Sequence, residues 1–241
     1  MRDRLILLPG WGLGISPMQP LAAALQGLDE RLRVDIEPLP ALDSHDVDEW
    51  LDELDATLPL DTWLGGWSLG GMLAAELAAR RGERCCGLLT LASNACFVAR
   101  EDWPHAMSGE LFEAFLAGCQ ESPLQTLKRF SLLCAQGAVD DPRGLSRLLS
   151  AAAPSAALEP GLQVLARLDT RAALQAYRGP QFHLFAGADA LVPAEVAGEL
   201  LALLPDVEIG LIEQASHAFV VEDPHGVAGA IQAFLHESGD D

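Results

Sequence analysis

The chain has 241 residues, half of them hydrophobic, with 15 Lys or Arg against 35 Asp or Glu and a formal charge of -20 at pH 7. That length suits one large core, and so acidic a surface speaks against nucleic acid and anionic membrane as partners, because both repel it. No apolar run is long enough to span a bilayer, and Met1-Arg2-Asp3-Arg4 leads straight into a strand with no signal-peptide pattern. Cys85, Cys86, Cys96, Cys119 and Cys134 are an odd set without metal-ligand spacing, so reduced thiols in a cytoplasmic protein with no metal site are expected.

In chain order, Arg4 to Leu8 is a short apolar run ending at Pro9-Gly10-Trp11-Gly12, the pattern of a parallel strand buried on both faces. Pro20 to Gln26 reads as a helix and Leu32 to Glu37 as a strand closed by Pro38 and Pro40. Asp43 to Leu58 sets Val47, Trp50, Leu51, Leu54 and Leu58 at helical spacing behind a solvated acidic face; those acids lack the tight cluster a metal would need. Thr62 to Trp67 is a strand, Met72 to Arg80 a helix, and Cys86 to Ala92 the next strand. From about Asn94 to Tyr177 helices follow one another, including Gly109 to Glu121, Pro123 to Ala135, Pro142 to Ala152 and Gly161 to Leu168. Alternation resumes with strand Gln181 to Ala186, helix Ala194 to Leu204, strand Val207 to Ile212 and helix Pro224 to His236. The expected architecture is an α/β core of residues 1–93 and 179–241 around a helical cap of residues 94–178.

Between the strand ending at Trp67 and the helix that follows, Gly66, Ser68 and Gly70 fill the pattern G-x-S-x-G, which exposes a serine oxygen on a sharp turn above the sheet. A solvated serine in a plain crossover would share those five positions, so partners decide. A nucleophilic serine needs a base and an acid to orient that base, and in α/β-hydrolases they follow in the order acid, then His. Asp189 and His217 each lie just past a late strand, at the end of the sheet where open α/β folds place their sites. His183 sits inside a strand, His225 and His236 lie on or beside the last helix, and His45 and His105 fall in earlier polar segments. Asp206 precedes a strand, and Ser93 lacks the flanking glycines. The oxyanion donors expected of this arrangement are the backbone N–H groups of Leu69 and Trp11, with the Trp11 and Trp67 rings walling the acyl site.

Charge divides the chain as the elements do: residues 97–178 hold 8 basic against 9 acidic side chains, the remainder 7 against 26. The basic groups on the insertion are either ordinary solvated faces or a surface that recruits an acidic partner.

Several stretches together carry a resemblance: Leu7-Leu-Pro-Gly-Trp-Gly-Leu13, Trp67-Ser-Leu-Gly-Gly71, Leu91-Ala-Ser-Asn-Ala-Cys-Phe97 with Ala99-Arg-Glu-Asp-Trp-Pro104, Lys128-Arg-Phe130, Leu168-Asp-Thr-Arg171, Ala188-Asp-Ala-Leu-Val-Pro193 and Ala215-Ser-His-Ala-Phe219. The chain resembles the carboxylesterases of the pimeloyl-acyl carrier protein methyl ester esterase family of biotin synthesis, and general hydrolases share the elbow but not the segment from Cys96 to Pro104. The resemblance implies an α/β-hydrolase fold and hydrolysis of a pimeloyl methyl ester on acyl carrier protein. It implies Ser68, Asp189 and His217 as triad; no metal or organic cofactor is expected, and the chain is expected to be a monomer. By position Arg129, Arg143 and Arg147 match basic residues that dock the acidic carrier, whereas Gln125 stands where an arginine is found in the family's enteric member. Pro9 replaces a common His, and the extra N-terminal strands of larger relatives are missing, so a mostly parallel sheet of about six strands is expected. Two rivals remain: a general short-chain carboxylesterase without a carrier partner, and a non-catalytic binding protein on a hydrolase scaffold.

Overall fold

The computed structural model describes residues 4–151, 157–204 and 206–238. Strand β1 (Arg4–Leu8) leads through a 3-10 turn into α1 (Gln19–Leu28), β2 (Arg33–Ile36) and α2 (Val47–Thr57). Then come β3 (Thr62–Trp67), α3 (Leu69–Arg81) and β4 (Cys85–Leu91). Five helices follow, α4 (Gly109–Glu121), α5 (Pro123–Ala135), α6 (Pro142–Ala151), α7 (Leu158–Arg167) and α8 (Arg171–Ala176). The chain closes with β5 (Gln181–Ala186), α9 (Val196–Leu203), β6 (Glu208–Ile212), α10 (Phe219–Glu222) and α11 (Pro224–Glu237).

The six strands among the described residues are all parallel, in the order β2-β1-β3-β4-β5-β6. Every residue of β3 and β5 is buried, which is why both read as continuous apolar runs rather than as alternation. Helices α1 and α11 pack on each other, and α3 packs with α2 and α8. The acidic face of α2 is solvated and partly ion-paired: Arg80 meets Asp48 and Asp52 on it, and Arg81 meets Asp55. Among the described residues no group of His, Cys, Asp or Glu is placed to hold a metal, and no helix is long and apolar enough to cross a membrane.

Helices α4 to α8 form the insertion between β4 and β5, with α5 packed on both α4 and α6 and with α4 on α7. Its two ends are tied together: Cys96 bridges Asp169, and Thr170 N–H donates to Ala95 O at 2.9 Å. Arg171 reaches Asp169 and Asp102, both from within 2.8 Å, with its guanidinium over the Trp103 ring.

Several boundaries differ from those expected. Helix α3 starts at Leu69 rather than Met72, because the elbow turns directly into it through Gly70-Gly71, a pair whose low helix propensity hides the start. Helix α2 starts at Val47 rather than Asp43, since the Asp46 carboxylate caps it by accepting from Asp48 N–H. Helix α7 starts three residues before Gly161, and Ala152, the expected end of α6, lies outside the described residues.

Candidate active site

Ser68 stands between β3 and α3 with φ 56° and ψ -121°, a strained backbone for a residue with a side chain. A β-carbon on Gly66 would overlap the Gly70 backbone, and one on Gly70 would overlap the Leu8 carbonyl, so the turn requires both glycines. The strained residue is pinned by neighbours. Its N–H donates to Leu91 O at 2.8 Å, and its carbonyl accepts from Gly71 and Met72 N–H and from Ser93 Oγ at 2.8 Å. Ser93, a rival serine by sequence, thus has its hydroxyl committed to the elbow. The Ser68 side chain is buried, and its Oγ has no hydrogen-bond partner among the described residues.

His217 lies in the turn after β6, fully buried, with Nδ1 2.7 Å from Asp189 Oδ2. Asp189, in the turn after β5, is itself held: its Oδ1 accepts from Leu191 N–H at 2.7 Å and Val192 N–H at 2.9 Å. With Nδ1 engaged, Nε2 is the ring nitrogen of His217 left without a partner among the described residues. The histidine turn is joined to the elbow through Trp67, whose indole N–H donates to His217 O at 2.8 Å. It is joined to the insertion as well, because Ala218 N–H donates to Cys134 O and the Phe130 ring packs edge-on to the imidazole at 6.4 Å.

The loop after β1 completes the cluster. A β-carbon on Gly10 would lie 3.5 Å from Ser68 Cβ, so this backbone runs beside the serine. Leu69 is the first residue of α3, where helix N–H groups have no intrahelical acceptor and favour negative charge. The Trp11 ring is turned toward the insertion: its N–H donates to Leu158 O at 2.7 Å, and the ring meets Phe130 and Phe115 edge-on. The Trp67 ring is fully buried beside the His217 ring, and its N–H serves the His217 carbonyl.

The remaining histidines have other surroundings. His183 is buried against Thr90 at 2.7 Å, and burial pushes its pKa down to about 3; His105 meets Glu199 at 2.6 Å; His45, His225 and His236 are exposed. Asp206 is exposed, next to the start of β6. Arg129 on α5 and Arg143 and Arg147 on α6 are exposed and make no ion pair among the described residues. An apolar groove of ≈ 360 Å³ between α4 and α5 includes Leu111, Phe115, Leu133 and Arg129 in its lining.

Sequence reasoning missed the hydrogen-bonding parts of Trp67 and Ser93. The signal for Ser93 was its place at the end of the strand beside the elbow strand; for Trp67 no local signal exists, since its acceptor is 150 residues away.

Residues 5–230 match the model of the alpha/beta hydrolase family. The chain is 38% identical over 242 residues to a biotin biosynthesis bifunctional protein of Cellvibrio japonicus, covering 97% of this chain and 47% of that protein, so it spans about half the length of this bifunctional relative. It is 34% identical over 250 residues to a pimeloyl-acyl carrier protein methyl ester esterase of Aromatoleum aromaticum, covering 96% of this chain and 97% of that one. A solved hydrolase of Oleispira antarctica superposes with TM-score 0.81 over 98% of this chain and 92% of its own, at 14% identity, a likeness of fold alone. Sequence and fold therefore agree that the chain belongs to the alpha/beta hydrolase family, among the relatives of the pimeloyl-acyl carrier protein methyl ester esterases.

Proposed function

We propose that this chain is a serine carboxylesterase that hydrolyses the methyl ester of a pimeloyl group carried on acyl carrier protein, releasing methanol in biotin synthesis. The observation that carries the reading is the buried His217–Asp189 pair at 2.7 Å, tied through Trp67 to the strained Ser68 turn. Asp189 holds Nδ1 protonated, leaving Nε2 of His217 to take the Ser68 proton as Oγ attacks the ester carbonyl. The N–H groups of Leu69 and Trp11 receive the oxyanion, each contributing roughly 3 kcal/mol of transition-state stabilisation. His217 returns the proton to the departing methanol, then activates water to release the acid and restore Ser68. None of these steps draws on a metal or organic cofactor.

Residues 94–178 act as the cap over this site in the reading. Arg129, Arg143 and Arg147 dock the acidic carrier, supported by their exposure and by their making no ion pair among the described residues. A cytoplasmic setting is supported by five thiols, none in a disulfide. Gln125, exposed where a further docking arginine would stand, favours the second reading of a short-chain esterase without a carrier.

Replacing Ser68→Ala should abolish turnover of a short p-nitrophenyl ester and labelling by a fluorophosphonate, with the thermal melt unchanged. Substantial residual turnover in the folded variant removes Ser68 from its role and revives the non-catalytic scaffold.

A further inference from the structure

Trp67 touches the elbow, the histidine turn and the loop after β1, three of the segments the proposed reaction needs. Its peptide bond carries Ser68. Its indole N–H donates to His217 O at 2.8 Å, and the two rings lie 5.8 Å apart. On the loop after β1, a β-carbon on Gly10 would lie 3.6 Å from the indole ring, so the backbone leading to Trp11 rests on that ring. Trp67 and His217 are both fully buried, which makes the indole the internal donor for a carbonyl that water does not reach.

Asp189 fixes how the imidazole is rotated, through Nδ1, but leaves open how far the histidine turn stands from the elbow. The bond from Ala218 N–H to Cys134 O ties that turn to α5, not to Ser68. The indole supplies the missing restraint: it spans from the residue beside the nucleophile to the backbone of the base. We propose that Trp67 is a positioning residue that sets the approach of His217 Nε2 to Ser68 Oγ by holding the His217 carbonyl with its indole N–H. The inference rests on the reading of Ser68 and His217 as nucleophile and base.

Two substitutions separate the donor from the bulk. Trp67→Phe keeps a six-membered aromatic ring and loses the N–H. Trp67→His keeps, in its Nε2-protonated neutral form, an N–H at the corresponding corner of a five-membered ring and loses the rest of the bulk. At pH 8, Trp67→Phe should label with a fluorophosphonate and turn over a p-nitrophenyl ester about tenfold or more slowly, with KM within about threefold of the parent, since misplacement of reacting groups acts on the chemical step. Trp67→His should stay within about threefold of the parent in both rates, the geometry being retained.

A Phe variant as fast as the parent, or no slower than the His variant, overturns the proposal in favour of packing alone. Should Trp67→Phe fail to fold, Trp67→His decides: a folded His variant slowed beyond about tenfold overturns it. Ser68→Ala measured alongside separates the two levels. Labelling that survives Ser68→Ala removes the underlying reading, whereas a dead Ser68→Ala with an unimpaired Trp67→Phe removes only the part given to Trp67.

Discussion

His183 and His217 have different surroundings on neighbouring parts of the sheet. His183 meets a threonine and no carboxylate, and burial holds its pKa near 3 against an ordinary 6.5. Between those values the unfolded chain binds a proton that the folded chain refuses, so the stability this neutral ring permits is complete above pH 6.5 and is lost as pH falls toward 3. At pH 5 the loss should be about 2 kcal/mol. Urea midpoints measured from pH 7.5 to 5 should fall more steeply for the parent than for His183→Gln, which keeps a hydrogen bond to Thr90 and does not titrate; parallel slopes would show that His183 is not the group responsible. Sequence could pick His217 out of six histidines because chain order and strand ends are local information. Its acceptance of the Trp67 indole proton was not legible, because that bond exists only once β3 and the turn after β6 are side by side.

Among the elements, glycine substitutions test how far packing outranks propensity. Gly70 and Gly229 both lie in helices, yet a β-carbon on Gly70 would enter the Leu8 carbonyl of the neighbouring strand while one on Gly229, exposed in α11, would meet nothing within 4 Å. Gly229→Ala should therefore raise stability by about 0.5–1 kcal/mol, the helix propensity difference. Gly70→Ala should lower it by roughly 3 kcal/mol or more, since backbone on both sides has nowhere to go. Denaturation midpoints decide both, and a neutral Gly70→Ala would mean that α3 is not held against β1 as described. The same contrast explains what was readable. Strands β1 and β3 and helices α4 and α5 begin and end where apolar periodicity and flanking Pro, Ser or Gly say they should. The start of α3 was hidden because its first turn contains two glycines selected for close approach, and the four-residue α10 is too short to show a period. The Cys96–Asp169 bridge and the Arg171 contacts that close the insertion join segments some 70 residues apart, beyond any local pattern.

At the scale of the whole molecule, the charge is uneven in a way that bears on how an acidic partner arrives. Residues outside 97–178 carry 7 basic and 26 acidic side chains, so the core repels a carrier protein from most directions, whereas the insertion at 8 against 9 is nearly neutral. Its exposed Arg129, Arg143 and Arg147 are not neutralised by ion pairs among the described residues, and α5 carries Arg129 on the same helix as Phe130 and Cys134, which touch the His217 turn. A carrier held at Arg129 would have only the thickness of α5, about 10 Å, between it and the His217 turn. Arg129→Glu and Arg143→Glu should each lower kcat/KM for the carrier-bound methyl ester by about tenfold, mainly through KM, and leave the free methyl ester within about twofold. Raising salt from about 0.05 to 0.5 M should reproduce that selectivity in the parent, because screening shortens the reach of exposed charges to a few ångströms. Charge reversals that leave the carrier-bound rate untouched would withdraw the docking surface while keeping the esterase, and the second reading would then stand: with −19 on the core and no attraction from the cap, an acidic carrier has no electrostatic reason to prefer this face.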